Sequence, residues 1–98
     1  MASPVNAGTG GCFLEVDKKV YLQGQCNIEP AGPHGGFSIG AAVTRTGYFV
    51  YVLIDETGIA RGYWNGAGAE SHAVDDLGRL NRKGACWENE SAKVCTSR

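Results

Sequence analysis

Short runs in which apolar and polar residues alternate occupy much of the chain and predict β-strands. In the first run, Leu14 and Val16 fall on one face and Glu15 on the other. Residues 47–54 are apolar on both faces, so we expect a central strand covered on two sides. The predicted strands are residues 12–16, 20–23, 26–28, 37–41, 47–54, 59–64, 86–89 and 92–95.

The strand predicted at residues 59–64 separates two sets of side chains. Arg61 and Tyr63 lie on one face, and Gly62 and Trp64 lie on the other. The charge on the first face favours solvent, whereas small residues on the second face leave room for an indole. The pattern therefore predicts Trp64 in the core and Tyr63 at the surface.

A binding site is predicted around the end of this strand. Asn65 and Gly66 follow it and form a strong two-residue turn signal, because both residues tolerate a positive φ. Two large rings directly before a turn favour recognition of a partner, since aromatic residues dominate binding hot spots. The candidate binding residues are Tyr63, Trp64, Asn65 and His72.

Two segments do not fit the strand pattern. Residues 30–36 combine prolines and glycines and predict an irregular loop. Residues 69–80 are the one helix candidate, but Gly78 interrupts them. A short helical turn at residues 72–77 and an extended path are equally compatible with the sequence.

The last hairpin has a register that can be argued from its turn. If Glu90 and Ser91 form a two-residue loop, Cys86 faces Cys95 at a close pair whose spacing permits a disulfide. Asn89 begins an N-glycosylation sequon with the same two residues, at an accessible hairpin tip.

Four cysteines in a chain of this size predict two disulfides. With Cys86–Cys95 preferred, Cys12–Cys26 follows by elimination. The alternative joins Cys12 to Cys95 and Cys26 to Cys86, which would tie the chain ends together. A zinc site is not expected, because the cysteines lack the short knuckle spacing that zinc prefers.

These patterns predict an all-β, mainly antiparallel domain. We expect a small barrel or sandwich of about six to eight strands, at most one short helical turn and two disulfides. Residues 1–11 are predicted to be a flexible N-terminal segment, and residues 12–98 a single disulfide-stabilised β domain.

Composition and charge exclude several classes of partner. The formal net charge of -1 provides no basic field for nucleic acid or anionic lipid. The longest apolar run, residues 48–54, is too short for a transmembrane helix. Residues 66–68 are glycine-rich but lack the strand-to-helix context of a phosphate site, so no cofactor is predicted. We expect a monomer or weak homodimer.

The disulfides also predict a location. Residues 1–11 contain no basic start and no apolar stretch. We therefore expect a periplasmic or extracellular protein whose signal peptide has already been removed.

Catalytic chemistry has weak support. Ser71, His72, Asp75 and Asp76 include the residue types of a hydrolase triad, but adjacent serine and histidine side chains in an extended segment point apart. One imidazole and two neighbouring carboxylates are common surface chemistry, so no metal site is predicted. We expect no enzyme activity.

Several segments together resemble a group of small exported bacterial proteins without an assigned function. They are residues 62–66, 71–73, 77–80 and 84–89. More faintly, the chain is similar to periplasmic lysozyme inhibitors, with residues 58–63 (Gly-Ile-Ala-Arg-Gly-Tyr) loosely echoing their Ser-Gly-Ala-Arg-Tyr run. Both resemblances imply export.

Three hypotheses for function follow. The leading one is an exported non-catalytic binding module that recognises another protein, as an inhibitor or immunity-type protein, or a cell-wall glycan. The alternative is a structural or envelope-stress domain without a specific ligand. The third is a hydrolase that uses His72. A concentrated exposed aromatic patch favours the first, an evenly polar surface the second and a cleft at His72 the third.

Overall fold

The computed structural model describes residues 8–40, 47–66, 68 and 75–97. Within these ranges all regular structure is β-strand, and no helix there could cross a membrane. The strands are β1 (Gly8–Val16), β2 (Lys19–Ala31), β3 (Gly36–Gly40), β4 (Phe49–Glu56), β5 (Ile59–Trp64), β6 (Asp75–Lys83), β7 (Cys86–Glu88) and β8 (Ala92–Ser97).

The strands form a closed antiparallel barrel in chain order. Each strand pairs with the next, and β8 returns to pair with β1 from Gly11 opposite Ser97 to Val16 opposite Ala92. Closure pairs the first strand with the last, which would otherwise be the two open edges of the sheet. The all-β prediction is confirmed, and the barrel is the architecture adopted.

The barrel interior is filled by alternate residues of the strands. Leu14, Ile28, Val50, Val52 and Val94 have no exposed surface. The prediction for β5 is confirmed, since its odd-numbered residues are half-buried and its even-numbered residues are buried.

Both predicted disulfides are present. Cys86 lies directly opposite Cys95, with 4.0 Å between their Cα atoms, so the predicted hairpin register is confirmed. Cys12 and Cys26 lie diagonally across the β1–β2 pair, with a Cα separation of 5.9 Å. Two bridges in a small domain are consistent with an oxidising compartment.

The β1–β2 hairpin turns at Asp17 and Lys18, whose φ angles are 53° and 69°. Two consecutive positive φ values match the twist of the flanking strands. Beyond the turn, Leu14 faces Leu22 while Glu15 faces Val20, so Tyr21 is an extra, bulged residue.

The loop predicted at residues 30–36 is shorter than expected. β2 continues to Ala31, β3 starts at Gly36, and Pro30 lies opposite Phe37. Within the described residues the β1–β2 pairing reaches only Ile28, so Pro30 has a strand partner there on one side, at Phe37. A strand tolerates proline there because its missing N–H need not serve a second partner.

β4 differs from the prediction that it is covered on two sides. Val50 and Val52 face the interior, but Tyr51 is 39% exposed. In a closed barrel the outer face of a strand meets solvent unless another element covers it. The apolar residues on this face therefore lie on the surface.

One turn prediction near β6 is also wrong. Trp64 pairs with Asp75, so the β5–β6 connection is much longer than the predicted Asn65–Gly66 turn. Asp75–Lys83 is a strand, so residues 75–80 of the helix candidate follow the extended path, and residues 69–74 lie outside the described residues. Gly78 adopts a φ of 85° beside the β5–β6 bulge, a conformation that glycine permits.

The domain begins earlier than predicted, because β1 starts at Gly8. Residues 8–11 therefore belong to the barrel, and residues 1–7 lie outside the described residues.

Candidate functional site

A trough runs along the outer face of β3. Its floor is formed by Ser38, which has a small side chain, and by Gly40, which has none. Larger side chains on the two neighbouring strands rise on either side of this floor. The result is a cavity of about 180 Å³ that we call the β3 trough.

The two walls of the β3 trough have different chemistry. In one cross-strand row, Asn27 of β2 faces Gly40, which faces Phe49 of β4. In the next row, Glu29 faces Ser38, which faces Tyr51. The β2 wall is therefore polar, and the β4 wall is aromatic.

The aromatic wall is exposed and ordered by ring contacts. The rings of Phe49 and Tyr51 meet edge to face with their centroids 5.9 Å apart. Phe49 is half-buried, whereas Tyr51 is one of two large apolar residues that are exposed in the described part of the chain. The wall thus offers a ring surface to a bound group.

Tyr63 extends this surface across the next strand. It lies opposite Tyr51 on β4 and opposite Asp76 on β6. Asp76 forms an ion pair with Arg61 at 3.0 Å and accepts a hydrogen bond from the Gly78 amide at 2.7 Å. The charges of Arg61 and Asp76 are therefore paired with each other beside Tyr63.

Among the described residues, Glu29 is the one charged residue that lines the β3 trough. Its side chain is half-buried, and it makes no ion pair within the described ranges. A polar wall with an unpaired carboxylate can accept hydrogen bonds from a bound group.

The predicted binding residues separate into surface and interior positions. Tyr63 is half-buried on the outer face, as expected. Trp64 is only 4% exposed, and its ring lies 4.7 Å from that of Tyr21 and 6.1 Å from that of Tyr48. The space beside Gly62 is filled by Leu77 and Leu80.

Asn65 is also an interior residue, with no exposed surface. Its side-chain oxygen accepts a hydrogen bond from the Phe49 amide at 3.0 Å, and its Nδ2 donates to the Gly47 carbonyl at 3.2 Å. Asn65 therefore holds the start of β4 and cannot contact a partner while it is buried.

The catalytic hypothesis falls on residues that the structure does not describe. His72 and Ser71 lie outside the described residues. Asp76 is described and is paired with Arg61. Among the described residues, no group of three or more histidine, cysteine or acidic side chains could hold a metal ion.

Sequence reasoning missed most of the β3 trough. The alternation in residues 48–54 places Phe49 and Tyr51 on one face, which was a usable signal. Glu29 and Ser38 join them only through the β2–β3–β4 register.

The comparisons with known proteins return no similar protein: no family model, curated protein or solved structure matches this chain.

Proposed function

We propose that this chain is an exported, non-catalytic binding module that recognises another protein through the β3 trough and the adjoining Tyr63. The observation that carries the proposal is the outer-face row of Tyr51 and Tyr63 beside a half-buried carboxylate, Glu29. An inhibitor or immunity-type role in the periplasm or outside the cell fits this geometry and the two bridges.

Tyrosines suit this role for a physical reason. Each offers a large ring with few rotatable bonds, so binding orders little side-chain freedom, and its hydroxyl can still hydrogen-bond. Tyr51 and Tyr63 stand on adjacent strands of a closed sheet, which holds their backbones in place. Rigid aromatic anchors on regular structure are typical of interface hot spots.

A structural domain without a ligand would be expected to carry an evenly polar outer surface. A grouped set of rings beside a concave floor argues for recognition instead. A glycan could also stack on the rings, and the experiment below separates it from a protein partner.

Photo-crosslinking tests the proposal. A benzophenone amino acid replaces Tyr51 or Tyr63 in turn in the organism that encodes the chain. Val20 provides the matched control, because it is 46% exposed but lies near the opposite end of β2 from Glu29. We expect positions 51 and 63 to crosslink to the same protein and position 20 not to.

Other results would contradict the proposal. Cosedimentation with purified cell wall that depends on Tyr51, without a protein crosslink, would indicate a glycan ligand. Crosslinks that are absent, or equally frequent at Val20, would favour the structural role.

A further inference from the structure

We infer that the β3 trough takes a cationic side chain of the partner, and specifically an arginine guanidinium. This inference rests on the proposed binding function and adds the chemistry of the group that is recognised. It depends on the charge of Glu29, the ring surface opposite it and the size of the cavity.

Glu29 gives the β3 trough a negative charge that a bound partner would cover. Glu29 lines the cavity, is already half-buried and has no basic partner within the described ranges. A partner that sealed this surface would remove the remaining water from the carboxylate. An unpaired buried carboxylate is very unfavourable, so the partner must supply an opposite charge or strong donors at this point.

The opposite wall favours a cation as well. The rings of Phe49 and Tyr51 flank the cavity, and aromatic faces attract positive charge. Glu29 and Tyr51 are separated by the single strand β3, which places their backbones about 9 to 10 Å apart. A flat group between the two walls could contact both.

Arginine fits these walls better than lysine. Its planar guanidinium stacks on a ring while its N–H groups form a fork that matches a carboxylate. Asn27 and Ser38 add a carbonyl and a hydroxyl oxygen beside Glu29, so several donors can be satisfied at once. A lysine ammonium is a compact point charge that cannot stack in this way.

The size of the β3 trough indicates one side chain of a larger partner. Its volume of about 180 Å³ is below the roughly 300 Å³ at which pockets for whole small-molecule ligands begin. The cavity is also open to solvent, and Tyr63 lies on the strand next to Tyr51, so the rest of a partner can lie across Tyr63.

An NMR titration tests the inference without knowledge of the partner. The isotope-labelled protein is titrated with N-acetyl-arginine amide, with the neutral isostere N-acetyl-citrulline amide and with chitotriose. We expect arginine to shift the amide signals of Glu29, Ser38 and Tyr51 saturably. Citrulline should bind at least about tenfold more weakly than arginine, because it lacks the charge. Added salt should weaken the arginine effect.

Variants identify the carboxylate and the ring. Glu29→Gln should reduce arginine affinity about tenfold, and Tyr51→Leu should reduce it while preserving the barrel. Glu56→Gln is the matched control, because it removes the same charge from an exposed position outside the β3 trough. The spectrum of each variant away from the substitution shows whether the fold is intact.

The outcomes separate this inference from the proposed function. Equal binding of arginine and citrulline, shifts outside the β3 trough, or an unchanged affinity for Glu29→Gln would overturn the cation inference. Chitotriose shifts at Phe49 and Tyr51 without an arginine effect would overturn it in favour of a glycan. Protein crosslinks at Tyr51 would leave the proposed function standing in either case.

Discussion

Phe49 and Asn65 exchange two hydrogen bonds at the edge of the β4–β5 pair. The Phe49 amide donates to the Asn65 side-chain oxygen at 3.0 Å, and the Asn65 amide donates to the Phe49 carbonyl at 3.4 Å. The last ladder pair is Val50 with Trp64, so Asn65 extends the pairing beyond the end of β5. The side chain thus fixes Phe49, which forms part of the aromatic wall of the β3 trough.

We expect Asn65→Ala to destabilise the protein. The substitution removes the acceptor of the Phe49 amide and the donor to the Gly47 carbonyl in a fully buried setting. Losing these partners should lower the free energy of unfolding by about 1–3 kcal/mol. Urea denaturation monitored by tryptophan fluorescence measures the change.

Asn81→Ala is the control for this prediction, because Asn81 is exposed on β6. Its effect should stay within about 0.5 kcal/mol. Equal effects at the two positions would show that the buried hydrogen bonds of Asn65 do not stabilise the barrel.

Opposite effects are expected for the neighbours Tyr63 and Trp64. Trp64→Ala deletes a buried ring packed against Tyr21 and should cost about 3–5 kcal/mol of stability. Tyr63→Ala, on the outer face, should cost less than about 1 kcal/mol while weakening partner binding. Thermal unfolding of both variants, combined with the crosslinking assay, checks the pair. If Trp64→Ala left stability unchanged and Tyr63→Ala unfolded the protein, the assignment of Trp64 to the interior and Tyr63 to the outer face would be wrong.

Local patterns predicted those parts of the barrel in which neighbouring residues carry the signal. The alternation that separates Tyr63 from Trp64 follows from the geometry of any extended strand. Likewise, a two-residue turn determines the register that brings Cys86 opposite Cys95. In both cases the sequence distance between the cause and its effect is short.

Features that depend on several distant strands could not be predicted in the same way. Asn65 is a residue type typical of hairpin turns, but its hydrogen bonds to Phe49 of β4 and to Gly47 keep it in the interior. Glu29 lies in a segment with no distinctive motif, and it gains its neighbours Ser38 and Tyr51 only when three strands align. Tertiary pairing decided both positions.

The two disulfides should differ in their contribution to stability. Loop-closure entropy gives about 3 kcal/mol for the 14-residue separation of Cys12–Cys26 and about 0.4 kcal/mol less for the 9-residue separation of Cys86–Cys95. Cys12 is also buried, so its loss leaves poorly filled space in the core. We therefore expect the double alanine variant at 12 and 26 to unfold at lower urea concentration than the variant at 86 and 95.

Intact mass and a thiol assay on denatured protein are the accompanying controls. The wild-type chain should be lighter than the reduced chain by two hydrogens for each bridge and should show no free thiol. Stoichiometric zinc, or a larger loss at 86 and 95, would contradict this account.

The last prediction concerns Asn89, whose sequon lies at a hairpin tip. Its Nδ2 donates to the carbonyls of Leu77 and Arg79, at 2.9 and 3.0 Å, and its Oδ1 accepts from the amides of Ser91 and Ala92, both at 2.8 Å. β7 ends at Glu88, where its pairing with β6 also ends. Beyond this point the side chain of Asn89 continues the hydrogen bonding to β6. An N-linked glycan would replace one of the two Nδ2 hydrogens and thus break one of these bonds.

We expect Asn89→Ala to lower stability by about 1–2 kcal/mol, because all four hydrogen bonds are lost. Ser91→Ala is the matched control, since it removes the sequon but keeps the backbone amide that donates to Asn89. Expression in a eukaryotic secretory pathway, where a sequon is modified before the chain folds, supplies the glycosylated protein, and intact mass measures its fraction. Any glycosylated fraction should unfold at lower urea concentration, since its Asn89 cannot donate to both β6 carbonyls. A fully glycosylated protein with the stability of Ser91→Ala would show that the hydrogen bonds from Asn89 to β6 do not stabilise the protein.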